Sequence, residues 1–430
     1  MTSFFGRVHA GLTEGLILGT LLFGLMAFGA VDPWAIIIIH WATLALIGLT
    51  AIRWLYQRDV RFPGGWLNLP ISLLVLAVLL STPGSIYRYG SVQEAARIIN
   101  YVAFFYLVFM NHVTQRAVIR FLTTVVVVAA LLPFAGAIQD WTLAARDTSI
   151  VALLPDSFRF ATYPNENHFG AFLALVLPAG LGLAGYLFLH RQWPRFGIIL
   201  VCLVVITVSL METLTRAAWM GVVFGLLAMT AVLVFAKALP GERKAWAVVA
   251  VIVGLLLTVG LAPASAVEQL RSVVALGDSP GSMAFRMSAW KDSLPIVREH
   301  ALLGTGPGTF SLVFTRYRST AAGLSLPFVD YLHNDYLQYA VEMGVFAALA
   351  LVGFVFLLIY QLSRDGVSHS DRPEFPVVLG ILGSIVAFAV AALYSFEFYI
   401  TVNGLLFWAT AAVSVRLTIL DQGAHHANRS

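Results

Sequence analysis

The sequence predicts an all-α polytopic membrane protein with about twelve transmembrane helices. Three observations carry this. Of its 430 residues, 59% are hydrophobic. Only 11% are charged, against ~25% in an ordinary globular domain. The apolar residues fall in long unbroken runs, whereas a membrane β-barrel would alternate. Disorder, a soluble enzyme and a coiled coil are thereby excluded. A net charge of +4 is too small for a nucleic-acid binder and suits a membrane protein with a basic inner face. The single cysteine, Cys202, lies inside an apolar run, so the chain has no internal disulfide, cysteine zinc site or thiol redox pair.

Each span is an apolar run of roughly the ~20 residues a bilayer requires. The first, about 14–31, follows Arg7 and ends at Phe28-Gly29-Ala30. A secretory leader is the alternative there, but the run is longer than a typical leader core. Runs at about 34–55, 67–82, 95–112 and 117–138 follow, with Arg53, Arg58, Arg61, Arg116 and Arg120 marking the turns between pairs. Runs at about 168–189 and 195–213 are joined only by His190-Arg191-Gln192-Trp193-Pro194. The eighth, about 217–237, is separated from the seventh by a tight turn holding Arg216. Runs at about 245–264, 343–363, 375–395 and 398–418 complete the set, and the polar tail from Gln422 to Ser430 reads as a frayed end.

Charge sets the expected orientation. With both termini cytoplasmic, the inner segments hold 15 Lys and Arg against 7 Asp and Glu, and the outer segments 11 against 15. Every inner connection is short. Two outer ones are long, 139–167 and 265–342, and loops beyond ~12–15 residues are usually functional or disordered. Both contain aromatic and aliphatic residues throughout and are expected to fold. Within the second, Met283, Met287, Trp290, Leu294 and Val297 have helical spacing and read as an amphipathic helix at the membrane surface. The organisation expected is one integral membrane domain over 1–430, with functional motifs concentrated in the outer loops.

Four outer stretches concentrate polar chemistry: Thr162-Tyr163-Pro164-Asn165-Glu166-Asn167-His168-Phe169-Gly170; Glu212-Thr213-Leu214-Thr215-Arg216-Ala217-Ala218-Trp219; Phe285-Arg286-Met287-Ser288-Ala289-Trp290; and Gly304-Thr305-Gly306-Pro307-Gly308-Thr309-Phe310, followed by His333-Asn334-Asp335-Tyr336-Leu337 and Glu342-Met343-Gly344. Each carries a structural alternative. Arg216 either snorkels to lipid phosphate or is functional, since an arginine in so tight a turn is costly. Arg286 either binds a ligand or pairs with Asp292 or Glu299. The glycine run lacks the Walker and dinucleotide signatures and reads as a turn. His333 is a helix cap or a catalytic group, and Asn334 or Asp335 would cap equally well. His168 and Glu342 are open between structural and functional roles.

Two arginines at a membrane edge match a lipid-linked diphosphate, because guanidinium binds phosphate bidentately and stays charged. A departing diphosphate needs its charge neutralised, by metal or by arginine. Neither outer loop holds an Asp-x-Asp pair, so no Mg²⁺ site is indicated. An acceptor hydroxyl would then need a base, for which His333 or an outer carboxylate is available.

The ordered set Thr-Arg-Ala-Ala-Trp, Arg-Met-Ser-Ala-Trp, Gly-Thr-Gly-Pro-Gly-Thr-Phe and His-Asn-Asp-Tyr-Leu-(x4)-Glu-Met-Gly resembles the O-antigen ligase and polymerase family of bacterial envelope glycosyltransferases. The stretch Tyr-Pro-Asn-Glu-Asn-His-Phe-Gly is similar to the family's preceding segment. The motif likeness covers roughly 160–345; the span count and large outer loop extend it over the chain. It implies a GT-C-like fold and an inverting, metal-independent, cofactor-free transfer of a glycan from undecaprenyl diphosphate to an acceptor sugar. The implied place is the periplasmic face of the bacterial inner membrane, with the substrates and membrane lipids as partners. Arg216 and Arg286 match the family's diphosphate-contacting arginines, and His333 the histidine proposed to act on the acceptor. Asn334, Tyr336 and Glu342 match motif positions of less defined role. Arg97 and Arg159 are further substrate-binding candidates from charge and position, and His168 from its motif.

Ligases join O-antigen to lipid A–core and polymerases join repeat units; the reading here favours a ligase. A twelve-span secondary transporter would show repeated halves and polar residues deep in several spans, whereas no repeat is apparent and the span interiors are nearly free of charge. A lipid flippase is the remaining rival.

Overall fold

The computed structural model describes residues 4–57, 65–112, 114–144, 162–163, 165–237, 239–241, 283–319 and 329–427. The expected ninth span at 245–264, most of the 139–167 loop and Arg159 lie outside them. Among the described residues the fold is helical, without strands. In chain order the helices are α1 (Phe4–Met26), α2 (Pro33–Gln57), α3 (Asn68–Ser81), α4 (Arg88–Asn111), α5 (Gln115–Ala144), α6 (Glu166–Leu189), α7 (Trp193–Glu212), α8 (Arg216–Phe235), α9 (Met283–Glu299), α10 (Phe310–Tyr317), α11 (Asp335–Met343), α12 (Val345–Ser368), α13 (Phe375–Ala391) and α14 (Thr401–Ala427).

Eight of these are long and apolar enough to cross a membrane: α1, α2, α4, α5, α6, α7, α8 and α12. The chain is a polytopic membrane protein on that ground. Helices α3 and α13 are apolar but have only 14 and 17 residues. At about 1.5 Å per residue they fall short of the ~30 Å hydrocarbon core. Helix α14 is the most enclosed element, buried at every position from Thr401 to Thr418. Two boundaries differ from the hydropathy reading. Helix α4 begins at Arg88 rather than near 95, because Arg88–Glu94 is polar yet helical. Helix α5 runs to Ala144, past the start expected for the first long outer loop.

Close packing of small residues fixes how α6, α8 and α13 meet. A Cβ on Gly221 would lie 2.3 Å from the Ala387 carbonyl oxygen, and one on Gly225 2.4 Å from that of Gly383. On the other side of α13, Gly182 would meet the Pro376 carbonyl at 2.3 Å. Backbones approach this closely only where side chains are absent, the usual device of packed membrane helices. The result is a rigid three-helix unit whose ends carry His168 (α6), Arg216 (α8) and the turn after α13.

Polar contacts also join helices away from the residues singled out above. Arg120 pairs with Glu14 at 2.6 Å, Gln115 donates to Glu374, and Arg53 donates to the Met110 carbonyl at 3.0 Å. Several of the residues singled out from the sequence meet one another separately, as described below.

The amphipathic helix exists as α9. Ala289, Ser293 and Ile296 face the protein, and Trp290 and Val297 pack partly against that small cluster. Met287 and Leu294 are exposed, so the predicted apolar stripe is split between protein and surroundings.

Candidate functional site

The glycine run forms a rigid loop. Gly304, Gly306 and Gly308 have φ of +66°, +112° and +71°. Only glycine adopts such values freely. Space also forbids a side chain: a Cβ on Gly306 would sit 2.1 Å from Ser85 Oγ. The loop's N–H groups are spent internally. Gly304 donates to His300, Thr305 to Val341 and Gly306 to Glu342, all at carbonyl oxygens within 3.0 Å. The Glu342 carboxylate accepts from Gly308 N (2.7 Å), Phe310 N (3.2 Å), Tyr399 Oη (2.8 Å) and Gln338 Nε2 (3.1 Å). This loop is a turn with no free anion cradle at those groups.

Glu342 is therefore the keystone of the loop. Burial, then the nearby Glu94 charge, pushes its carboxyl up to about 7, against the hydrogen bonds that favour ionisation. The folded protein holds this proton toward pH 7 while an unfolded chain releases it near 4.5. The group's contribution to stability accordingly falls as pH rises across that window and is flat above it. Glu342→Ala strands four donors in the interior, at roughly 1–3 kcal/mol for each buried group left unpaired. A clearly lowered unfolding temperature in detergent is expected; an unchanged one would show that the loop does not depend on this carboxylate.

Asn334 and Tyr336 also face inward. Asn334 caps α11, its Oδ1 accepting from Leu337 N at 3.0 Å. Tyr336 Oη donates to the Ala389 carbonyl at 3.0 Å, tying α11 to α13. Arg97 is buried in α4, paired with Glu94 and donating to the Tyr399 carbonyl at 2.5 Å. These interactions build the scaffold.

His333 is freed from capping by Asn334, as the alternative in the sequence allowed. It stands at φ +53°, a left-handed conformation rare outside glycine and concentrated at functional sites. Trp290 on α9 holds the strand of chain before it, donating to the Leu332 carbonyl at 3.0 Å. Phe285 and Phe396 border its ring at centroid distances of 6.4 and 5.1 Å. Burial pushes its imidazole down to about 3, helped by the Arg286 charge and by His168 in its protonated form.

Arg286 lies one turn into α9. Burial lowers its proton affinity first, and the Arg216 charge adds to the effect. The proposed partners of a merely structural Arg286 are engaged elsewhere: Asp292 accepts from Ser319 N and Oγ, and Glu299 from Tyr317 Oη. Arg286 Nε is buried with no hydrogen-bond partner among the described residues. Arg216 opens α8 after a turn through Leu214 at φ +52°. Thr215 Oγ1 pins that turn to the Glu166 carbonyl (3.2 Å) at the start of α6. Two turns of chain and two helix starts thus bring Arg216, Arg286, His333 and His168 into one electrostatic neighbourhood.

The sequence reading missed the group that completes this neighbourhood. Glu397, in the turn between α13 and α14, is wholly buried, and its Oε1 lies 3.4 Å from His168 Nδ1. Ser395 Oγ (2.6 Å) and Asn403 Nδ2 (2.8 Å) also donate to it. Glu397 sits in the nine-residue connection 392–400 and not in one of the two long outer loops. The available signal was an acid and an asparagine flanking an otherwise apolar helix start, which membrane burial makes expensive.

Among the described residues no three His, Cys, Asp or Glu side chains are grouped to hold a metal ion. The arrangement offers two guanidinium cations for an anion, a neutral imidazole with a free lone pair, and a second imidazole backed by a carboxylate.

No curated protein matches the chain. A family model described as O-antigen ligase matches residues 201–352, the segment that runs from within α7 to within α12 and contains Arg216, Arg286, His333 and Glu342. Residues 201–352 are thus similar to the O-antigen ligase family.

Proposed function

We propose that the protein is an inverting, metal-independent glycosyltransferase of the bacterial inner membrane. It moves a glycan from undecaprenyl diphosphate to an acceptor sugar at the periplasmic face, and its acceptor is lipid A–core, which makes it an O-antigen ligase. The reading includes twelve spans in a GT-C-like arrangement, cytoplasmic termini, and outer loops at 139–167 and 265–342.

One observation carries the proposal: Arg216 lies close enough to Arg286 to lower its proton affinity, and Arg286 in turn lies close enough to His333 to lower that of the imidazole. Two guanidinium charges held close together favour an anion beside them. A diphosphate supplies that anion. As the C1–O bond to the diphosphate breaks, its electron pair goes to the phosphate oxygen, and the guanidinium pair stabilises the growing charge. The acceptor oxygen attacks C1 from the opposite face, forming the new glycosidic bond and inverting C1. Its proton passes to His333. With no donor bound, the arginine charge opposes protonation of His333. Donor binding cancels that charge, so the base strengthens only when there is a sugar to receive the nucleophile.

Expression in a strain lacking its ligase, and separately in one lacking its polymerase, tests the assignment. Restoration of O-antigen-bearing lipopolysaccharide in the first strain alone is expected. Restoration in the second alone would assign the same site to chain polymerisation, and restoration in neither would contradict the proposal.

A further inference from the structure

Between the Arg216 turn and His333 lies the His168–Glu397 pair, which has no role in the transfer described above. Its construction is more elaborate than packing requires. The Glu397 carboxylate is fully enclosed, yet it receives Ser395 Oγ and Asn403 Nδ2 as well as the His168 ring. Asn403 is itself oriented: Tyr163 Oη donates to its Oδ1 at 2.8 Å, and its Nδ2 also reaches the His168 carbonyl at 3.0 Å. A carboxylate accepts only, so in the neutral imidazole the Nδ1 facing it carries the hydrogen and Nε2 keeps the lone pair. About 4% of the His168 side chain remains open, while Glu397 has none exposed. Phe396 separates the two imidazoles, with His168 at 4.6 Å and His333 at 5.1 Å between ring centroids, and Tyr331 stacks on it at 4.1 Å.

Position indicates the ligand. Gly170 on α6 lies against Thr215, since a Cβ there would be 3.0 Å from it, so His168 adjoins the turn carrying Arg216. If the diphosphate sits at the arginines and the acceptor oxygen at His333, the sugar being transferred lies between them. We propose that His168 Nε2 accepts a hydrogen bond from a hydroxyl of that transferred sugar, and that Glu397 is a positioning residue that fixes His168 for the contact. This rests on the functional reading above and adds to it a recognition element for the first sugar of the donor.

The test uses purified full-length protein in lipid nanodiscs, with undecaprenyl-diphosphate-linked O-antigen unit and lipid A–core, reading release of undecaprenyl diphosphate. His168→Leu and Glu397→Gln should each lower kcat/KM for the donor at least 30-fold. Inhibition by undecaprenyl diphosphate, which lacks the sugar, should change less than two-fold. Adding Glu397→Gln to His168→Leu should cost less than a further three-fold, because Glu397 acts through His168. A loss below three-fold in either single variant, an equal weakening of undecaprenyl diphosphate inhibition, or multiplying losses in the double variant would each overturn the proposal. Should a variant fail to fold, ¹⁵N-histidine spectra of the wild-type protein decide: a His168 tautomer protonated at Nδ1 is expected, and one protonated at Nε2 overturns it. Arg216→Ala in the same assay separates the two levels of the account. Full release by that variant sinks the functional reading itself, whereas loss there with intact His168 and Glu397 variants sinks only this inference.

Discussion

Arg216→Ala and Arg286→Ala should each slow glycan transfer by about 10²–10³-fold, the usual cost of removing one preorganised group that stabilises charge at the departing atom. The two arginines are held together by independent elements, the α7–α8 turn and the start of α9, and the charge of one lowers the proton affinity of the other. On the proposed function, that repulsion is relieved when the diphosphate binds. The two losses should not multiply, since both groups act on one leaving group. Each variant should also bind undecaprenyl diphosphate more weakly. Normal transfer by both would remove the diphosphate from this part of the molecule.

His333→Ala should lose about 10²–10⁴-fold in turnover, the range for a positioned general base. Donor binding should survive, because the arginines remain. The pH dependence carries a further expectation. The imidazole is pushed down to about 3 by burial, by Arg286 and by His168. Between its ordinary 6.5 and that value the unfolded chain binds a proton that the folded protein refuses. Stability from this group is thus lost as pH falls through that window, and His333→Gln should blunt the loss. The bound diphosphate opposes the Arg286 charge and raises the proton affinity of His333. The acid limb of kcat should therefore lie at higher pH than that of donor kcat/KM, which reports the free enzyme. Coincident limbs would show that donor charge does not reach His333.

Much of this site was legible because membrane residence makes polar residues informative. With 11% of the chain charged, an arginine in a tight turn between two spans stands out, and so does a histidine beside a better capping residue. Spacing also revealed α9, since a helical period is visible without knowing what it packs against. The reading of the glycine run as a turn holds for the same reason: positive φ and Gly-Pro-Gly chemistry are local.

Long-range partners were not legible. Glu342, Asn334 and Tyr336 match motif positions, yet their side chains brace the loop, α11 and α13. A motif shows where side chains are constrained without showing whether a ligand or the fold constrains them. Arg97 drew notice as an outer positive charge, but Glu94 and the Tyr399 carbonyl, 302 residues away, claim it. Glu397 went unnoticed because its meaning depends on His168, 229 residues earlier. Hydropathy likewise cannot show that α13 has only 17 residues and is clasped by α6 and α8 through glycine contacts.

In the proposed reaction Arg216 and Arg286 neutralise a departing lipid diphosphate during glycan transfer. The most direct measurement is undecaprenyl diphosphate released by purified protein given the lipid-linked glycan, with and without lipid A–core, and with and without chelator. Acceptor-dependent release is expected, matched one for one by glycosylated acceptor, unchanged by chelator, and lost in Arg216→Ala and Arg286→Ala. Release that persists in both variants, or that chelator stops and Mg²⁺ restores, would contradict it.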